Sequence, residues 1–139
     1  MYKTITLGFV LFLMGCSSEA PSVSCGLTKD NLIGSWKITA MKYKENAQAN
    51  EVDVYANSAP CKKDDIYVFS SDSTYHYNDL GTFCSPPDSY VGKWKILGVQ
   101  LIFDSANSYT ISNFNCISMN ATKKGTTTGE YLLVTFTRQ

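Results

Sequence analysis

Hydrophobic and polar side chains alternate along most of the chain after residue 33, and Gly, Asn, Asp, Ser and Pro interrupt the alternation at short intervals. Such an alternation predicts half-buried β-strands, because successive side chains of a strand point to opposite faces of the sheet. Short strands separated by turn residues are typical of an all-β sandwich or barrel. The predicted strands cover residues 35–44, 51–55, 65–70, 74–78, 90–97, 99–104, 108–115 and 130–138. Residues 27–33 alone predict a short N-terminal helical turn.

Two of these strands carry the same phrase, Gly-x-Trp-Lys-Ile, which begins at Gly34 and again at Gly92. In the first strand the alternation places Trp36, Ile38 and Ala40 on one face, which we expect to be buried. Lysine and threonine occupy the positions between them, as a half-buried strand requires.

The best-defined hairpin joins the strands at residues 65–70 and 74–78. Its pattern predicts Tyr67 opposite Tyr77 and Phe69 opposite Tyr75, so that four aromatic rings share one face. Cross-strand aromatic pairs contribute roughly 0.2 to 1 kcal/mol each relative to alanine, which fixes the register. His76 then points to the opposite face, towards solvent.

The beginning of the chain has the pattern of an export signal. An apolar run at residues 5–14 follows Lys3 and is too short to span a bilayer as a helix. The run ends in Leu13-Met14-Gly15-Cys16, which resembles the lipobox of bacterial lipoproteins. The resemblance implies that residues 1–15 are removed and that Cys16 carries fatty acyl chains such as palmitate. The alternative is an ordinary secretory signal with a chance cysteine.

Residues 16–26 are small and polar, which predicts a flexible, lipidated tether. No acidic residue follows Cys16 directly, so the inner-membrane retention signal of enteric lipoproteins is missing, and we expect anchoring in the outer membrane. Residues 27–139 are enough for one domain and too few for two.

The charge of the chain is balanced, with 12 basic and 12 acidic side chains. Removal of Lys3 with the signal leaves a formal charge of minus one, which argues against nucleic acid as a partner. The doublets Lys62-Lys63 and Lys123-Lys124 are interpreted as solvated turn residues.

Four of the five cysteines remain once Cys16 is lipidated. In an exported chain an even set predicts two disulfides, with three connectivities. Continuing the hairpin register places Cys61 nearly opposite Cys84, which leaves Cys25 to bond Cys116. No two of these cysteines lie within five residues of each other, so a metal site is not favoured.

Gly34-Ser35-Trp36, after a short turn, resembles the opening motif of the lipocalins, in which the tryptophan closes the narrow end of an eight-stranded barrel. Residues 64–75, bracketed by Cys61 and Cys84, resemble small lipocalin-like lipoproteins of the Bacteroidetes. The resemblance implies a single antiparallel up-and-down β-barrel of about eight strands over residues 27–139. Gly34 and Trp36 would then be structural, with Arg138 as the candidate to stack on the tryptophan.

The sequence does not suggest an enzyme. His76 is the one histidine, and no nucleophile, paired carboxylates or phosphate loop can be placed beside it. Asp64, Asp65 and Asp72 are interpreted as residues that end and turn strands, with a weak calcium site as the alternative. We expect no cofactor and no metal.

The interior of the barrel is the remaining candidate site, either filled by side chains or holding one small hydrophobic or amphipathic ligand. Tyrosine hydroxyls on the inward face favour a pocket, because a buried tyrosine needs a polar partner. The alternative is a filled barrel that serves as a structural or protein-interaction module of the cell envelope, through residues 45–60. The predicted ligand-binding residues are Tyr67, Phe69, Tyr75, Tyr77, Trp94, Phe103, Tyr109 and Phe136.

Overall fold

A computed structural model describes residues 25–139 of the chain. The predicted signal peptide, Cys16 and the tether up to residue 24 lie outside the described residues. No helix in the described part is long and apolar enough to span a bilayer.

The described residues are almost entirely β-structure. A single helical turn, α1 (Lys29–Leu32), comes first, and a short 3-10 helix spans Pro60–Lys62. The strands are β1 (Gly34–Lys44), β2 (Val52–Asp53), β3 (Ile66–Phe69), β4 (Thr74–Asn78), β5 (Tyr90–Leu97), β6 (Gln100–Phe103), β7 (Asn107–Ser112), β8 (Ser118–Lys124) and β9 (Tyr131–Arg138).

Eight of the strands close into an antiparallel barrel. From β3 to β9 each strand pairs with the next along the chain, and β1 closes the ring by pairing with β3 on one side and β9 on the other. The ninth strand, β2, pairs only with the end of β1, at Lys42 and Tyr43. The predicted fold class is therefore confirmed, with one additional short strand outside the ring.

The register of the predicted hairpin is also confirmed. Tyr67 pairs with Tyr77 and Phe69 with Tyr75, and the side chain of His76 is exposed. The aromatic pattern of these two strands was sufficient to place every residue of the ladder.

The predicted strands differ from the structure in two places. The sequence prediction omitted β8, whose residues Met119 and Ala121 are fully buried between β7 and β9. The strand predicted at residues 51–55 is reduced to the two residues of β2, since β1 pairs mainly with β9 in this region.

A β-bulge in β1 corrects the predicted faces of that strand. The pairing with β9 shifts between Ile38 and Ala40, so that Thr39 has no partner of its own. After the bulge, Ala40 pairs with Thr135 on the outer face, and Met41 takes the inward position predicted for Ala40. Bulges of this kind bend a strand and redirect its side chains.

The barrel has a closed end and an open end. At the closed end lie α1 and the turns after β3, β5 and β7, packed around Leu32, Trp36 and Met119, which are all fully buried. At the open end lie the connections before β3 and after β4, β6 and β8. The tightly packed core is thus concentrated towards one end.

The two disulfides have the predicted connectivity and lie at opposite ends. Cys25 bonds Cys116 in the loop after β7, with 5.8 Å between the Cα atoms, at the closed end. Cys61 bonds Cys84 with 5.2 Å between the Cα atoms and joins the connections before β3 and after β4 at the open end.

Candidate ligand-binding cavity

A cavity of about 260 Å³ lies inside the barrel towards its open end. Its wall contains no charged side chain and a single amide, Asn107; the other side chains are aliphatic, aromatic or methionine. The lining residues are Ile38, Met41, Tyr67, Tyr75, Tyr90, Phe103, Asn107, Tyr109, Leu132, Val134 and Phe136.

Tyr67 is the centre of the aromatic wall. Its ring centroid lies 5.0 Å from that of Tyr77, 5.7 Å from Phe136, and 6.1 Å from both Tyr75 and Phe103. Tilted and edge-on contacts at these distances are favourable, contributing about 0.5 to 1.5 kcal/mol per pair beyond the buried area. The wall is therefore held in place by ring packing without filling the cavity.

A glycine on the neighbouring strand gives the Tyr75 ring its space. Gly92 of β5 pairs with Tyr75, and a Cβ atom at Gly92 would clash with the Tyr75 ring. With the ring lying over Gly92, the Tyr75 hydroxyl donates a hydrogen bond of 2.7 Å to Asp104 Oδ2 at the rim. Asp104 Oδ1 accepts a second bond of 2.8 Å, from the backbone N–H of Lys93.

Burial raises the pKa of three tyrosines around the two cavities. Desolvation raises the pKa of Tyr67 well above its usual range, and the nearby Tyr90 adds to the effect. The pKa of Tyr75 and of Tyr77 is raised by desolvation and by hydrogen bonds to Asp104 and Asp65. These three tyrosines therefore stay protonated above the pH at which an exposed tyrosine ionises.

A second, smaller cavity of about 180 Å³ adjoins the first, and the two share Ile38, Met41 and Tyr67. Here the Tyr77 hydroxyl donates to the buried Asp65, whose other oxygen accepts the backbone N–H of Leu80 at 3.1 Å. Asp65 thereby fixes the connection after β4 against the barrel wall.

The predicted ligand-binding residues divide into three groups. The cavity of about 260 Å³, called the main cavity below, is lined by Tyr67, Tyr75, Phe103, Tyr109 and Phe136. The smaller cavity is lined by Tyr67 and Tyr77. The third group, Phe69 and Trp94, belongs to neither lining.

Phe69 and Trp94 lie deeper in the barrel, at the closed end. Phe69 is 1% exposed and Trp94 2%, and their ring centroids are 5.0 Å apart. Their contribution is to the packed core beneath the cavity.

The closed end is completed by the predicted glycine, tryptophan and arginine. Trp36 donates a 2.8 Å hydrogen bond from Nε1 to the Leu32 carbonyl, and the Arg138 guanidinium lies 4.6 Å from its ring centroid. Gly34 has a φ of +128°, and a Cβ atom there would lie 2.7 Å from Arg138 Nη1. The glycine is therefore required both for its backbone conformation and for the approach of the arginine.

A comparison with family models gives the same assignment as this geometry: the model of the lipocalin-like domain matches residues 32–123. The chain belongs to the lipocalin-like domain family. No curated protein matches the chain.

Sequence reasoning missed several lining residues of this lipocalin-like domain. Ile38 was placed on the inward face but not assigned to the site, and Met41 faces inward only because of the bulge. Tyr90 and Asn107 stand at the first positions of β5 and β7, where the alternation begins. Tyr90 lies two residues before Gly92, and Asn107 lies two residues before Tyr109. This spacing places both on the inward face of their strands, and it could have assigned them to the cavity wall.

The three carboxylates that were considered as a calcium site accept hydrogen bonds from backbone N–H groups. Asp72 accepts the N–H and the hydroxyl of Thr74 near the closed end, whereas Asp64 and Asp65 accept N–H groups of the connection after β4. The structure therefore does not bring the three together.

A different trio, Asp79, Cys84 and Asp88, has its side-chain ligand atoms within 4.8 Å of one another. The Cys84 sulfur is in a disulfide, Asp79 accepts the Cys84 N–H, and Asp88 pairs with Lys62. A bonded sulfur is not the thiolate that a metal site uses. The trio holds the connection after β4 together.

Proposed function

We propose that this lipocalin-like protein binds one small hydrophobic or amphipathic molecule in its barrel. The main cavity carries the proposal, because aromatic side chains surround it and it is open to solvent beside Tyr90, which is 47% exposed. Ligand sites are concave and mostly apolar, with a few polar groups that orient the ligand. The tyrosine hydroxyls and Asn107 are such groups.

The size of the cavity limits the ligand. Typical sites for drug-sized molecules measure about 300 to 1,000 Å³, whereas the main cavity measures about 260 Å³ and the adjoining one about 180 Å³. The ligand is therefore a single short chain or a small ring system. A filled barrel that acts only as an interaction module is not favoured, since its interior would contain no such space.

Anchoring in the outer membrane through acylated Cys16, in the manner of the small lipocalin-like lipoproteins of the Bacteroidetes, is the second part of the proposal. It rests on the lipobox-like residues 13–16 and on the polar residues that follow them. Several acyl chains provide stable anchoring, because each buried methylene contributes about 0.8 kcal/mol and one chain alone binds only marginally. The chain is proposed to act as a binding protein and not as an enzyme.

Ligand binding is tested with the chain from residue 16 carrying Cys16→Ser, which avoids the detergent that a lipidated protein requires. Titration with prodan, a neutral fluorescent naphthalene small enough for the cavity, should give saturable emission at one probe per protein. Met41→Trp places a large ring in the cavity and should abolish the uptake, whereas Lys42→Trp, on the outward neighbour, should preserve it. Absence of uptake by the unsubstituted protein, or equal uptake by both variants, would reject the proposal.

Anchoring is tested separately by the intact mass of the chain from its native membranes. We expect a chain that begins at Cys16 and carries acyl groups, and a Cys16→Ser chain that leaves the membrane fraction. An unmodified Cys16 in membrane-bound protein would contradict the anchor and leave the cavity proposal unaffected.

A further inference from the structure

Lys123 of β8 faces into the mouth of the barrel and is not the solvated turn residue that the sequence suggested. It alternates with Met119 and Ala121, which are both buried in the interior, and it pairs with Leu132 of the cavity wall. Its side chain is half-buried, and its Nζ lies 6.0 Å from the ring centroid of Tyr109, another residue of the wall. A cation therefore stands at the edge of a cavity whose own lining is uncharged.

The positive charge of Lys123 has no acidic partner among residues 25–139, in which the ion pairs are Lys42 with Glu51 and Lys62 with Asp88. Its one hydrogen bond, of 2.7 Å, goes to the neutral amide oxygen of Asn107. An ammonium group has three donors, so further donors remain for a ligand.

The carboxylates Glu130 and Asp104, near the open end, already accept hydrogen bonds from other groups of the protein. Glu130 accepts the backbone N–H groups of Thr126 and Thr127 and the hydroxyl of Tyr43. Asp104 accepts the Lys93 N–H and the Tyr75 hydroxyl. Of Lys123, Glu130 and Asp104, the cation alone is incompletely paired, which favours an anion over an amine as the polar end of a ligand.

We infer that the cavity binds an amphipathic anion, with an apolar body between Tyr67, Phe103 and Phe136 and a carboxylate or similar head group at Lys123 and Asn107. The inference rests on the proposed ligand binding and adds the charge of the ligand. A volume of about 260 Å³ fits an apolar chain of medium length. A head group at the mouth keeps contact with water while the body is buried.

The test compares three probes with chains of ten carbons: decanoate, decanol and decylamine, each competing with prodan for the Cys16→Ser chain at neutral pH. Decanoate should bind about tenfold more tightly than decanol, the lower end of what a charge-assisted hydrogen bond contributes. Decylamine should bind more weakly than decanol, because its charge is repelled by Lys123.

The matched variants are Lys123→Gln and Lys124→Gln, since Lys124 is the adjacent residue of β8 and its side chain is exposed. Lys123→Gln should weaken decanoate about tenfold and leave decanol unchanged, so decanol also reports that the barrel is folded. Lys124→Gln should leave both unchanged.

Equal affinity for decanoate and decanol, or equal effects of the two substitutions, would overturn the inferred anion site while ligand binding itself stands. Tighter binding of decylamine would overturn it in favour of a cationic ligand. Failure of all three probes and of prodan would reject the cavity proposal together with the inference.

Discussion

At the scale of single residues, Arg138 shows how one side chain holds the closed end together. Its guanidinium donates to the carbonyl oxygens of Cys116 at 2.7 Å, of Ile33 at 3.0 Å and of Asn31, while stacking on Trp36. The planar fork of arginine suits this geometry, and the ammonium of lysine does not.

We predict that Arg138→Met lowers the free energy of unfolding by about 2 to 3 kcal/mol, because three partly buried carbonyl groups lose a charged donor. Arg138→Lys should recover only part of this loss. Urea unfolding measures both, with an unchanged slope indicating an unchanged extent of unfolding. A Met variant as stable as the parent would show that water replaces the arginine without cost.

Two methionines distinguish the packed core from the cavity wall. Met119 is 0% exposed at the closed end, whereas Met41 is half-buried and lines both cavities. Met119→Ala should cost about 2 to 5 kcal/mol of stability, because it creates a void in close packing. Met41→Ala should cost less than about 1.5 kcal/mol and change the affinity for prodan. Equal destabilisation by the two variants would mean that the cavity is filled in solution.

Single positions were predictable where a local pattern decides them. The aromatic alternation fixed the pairing of Tyr67 with Tyr77, and the Gly34-x-Trp36 motif identified the closed end. The bulge at Thr39 reversed the faces of Ala40 and Met41, and an alternation pattern contains no information about an extra residue. The alternation also does not show how far along the barrel axis an inward side chain lies. Phe69 and Trp94 face inward but lie at the closed end, below the cavity wall.

At the scale of elements, β8 shows the limit of strand propensity. Four of its seven residues, Asn120, Ala121, Lys123 and Lys124, belong to types that are depleted in strands. The strand forms because β7 and β9 each present an edge that must be paired. Closure of the ring, a property of the whole sheet, determines the structure of this segment.

The two disulfides allow a prediction about the elements that they join. The bonds span 23 residues between Cys61 and Cys84 and 91 residues between Cys25 and Cys116. Chain entropy gives a loss of roughly 3 kcal/mol for the shorter loop and roughly 4.5 kcal/mol for the longer loop when both cysteines of a pair become serine.

Denaturant midpoints of the two double serine variants measure this difference. The pair at the open end should in addition alter prodan uptake, because Cys84 lies in the connection that Asp65 fixes beside the smaller cavity. A larger loss of stability for the shorter loop would show that local packing, and not loop length, dominates.

At the scale of the whole molecule, the tyrosines around the cavities make the free energy of unfolding depend on pH in the alkaline range. The pKa of Tyr67, Tyr75 and Tyr77 is raised, chiefly by desolvation, whereas the same residues in the unfolded chain ionise near pH 10. Below pH 10 both states keep the protons, so this contribution is fully present. Above pH 10 the unfolded chain loses protons first, and stability falls as the pH rises.

We expect a decline of up to about 1.4 kcal/mol per pH unit for each tyrosine that ionises only on unfolding. Absorbance at the phenolate band should show these tyrosines appearing together with the loss of secondary structure in circular dichroism. Complete tyrosine ionisation in a still folded protein would contradict the buried wall. Tyr67→Phe should reduce the steepness of the decline.

The bond between Cys25 and Cys116 has a consequence for how the barrel can be displayed. It brings the first described residue to the pole opposite the mouth, beside the loop after β7. An attachment through residues upstream of Cys25 would therefore begin at the end of the barrel away from the cavity opening. The proposed ligand could then enter and leave without detachment of the proposed lipid anchor.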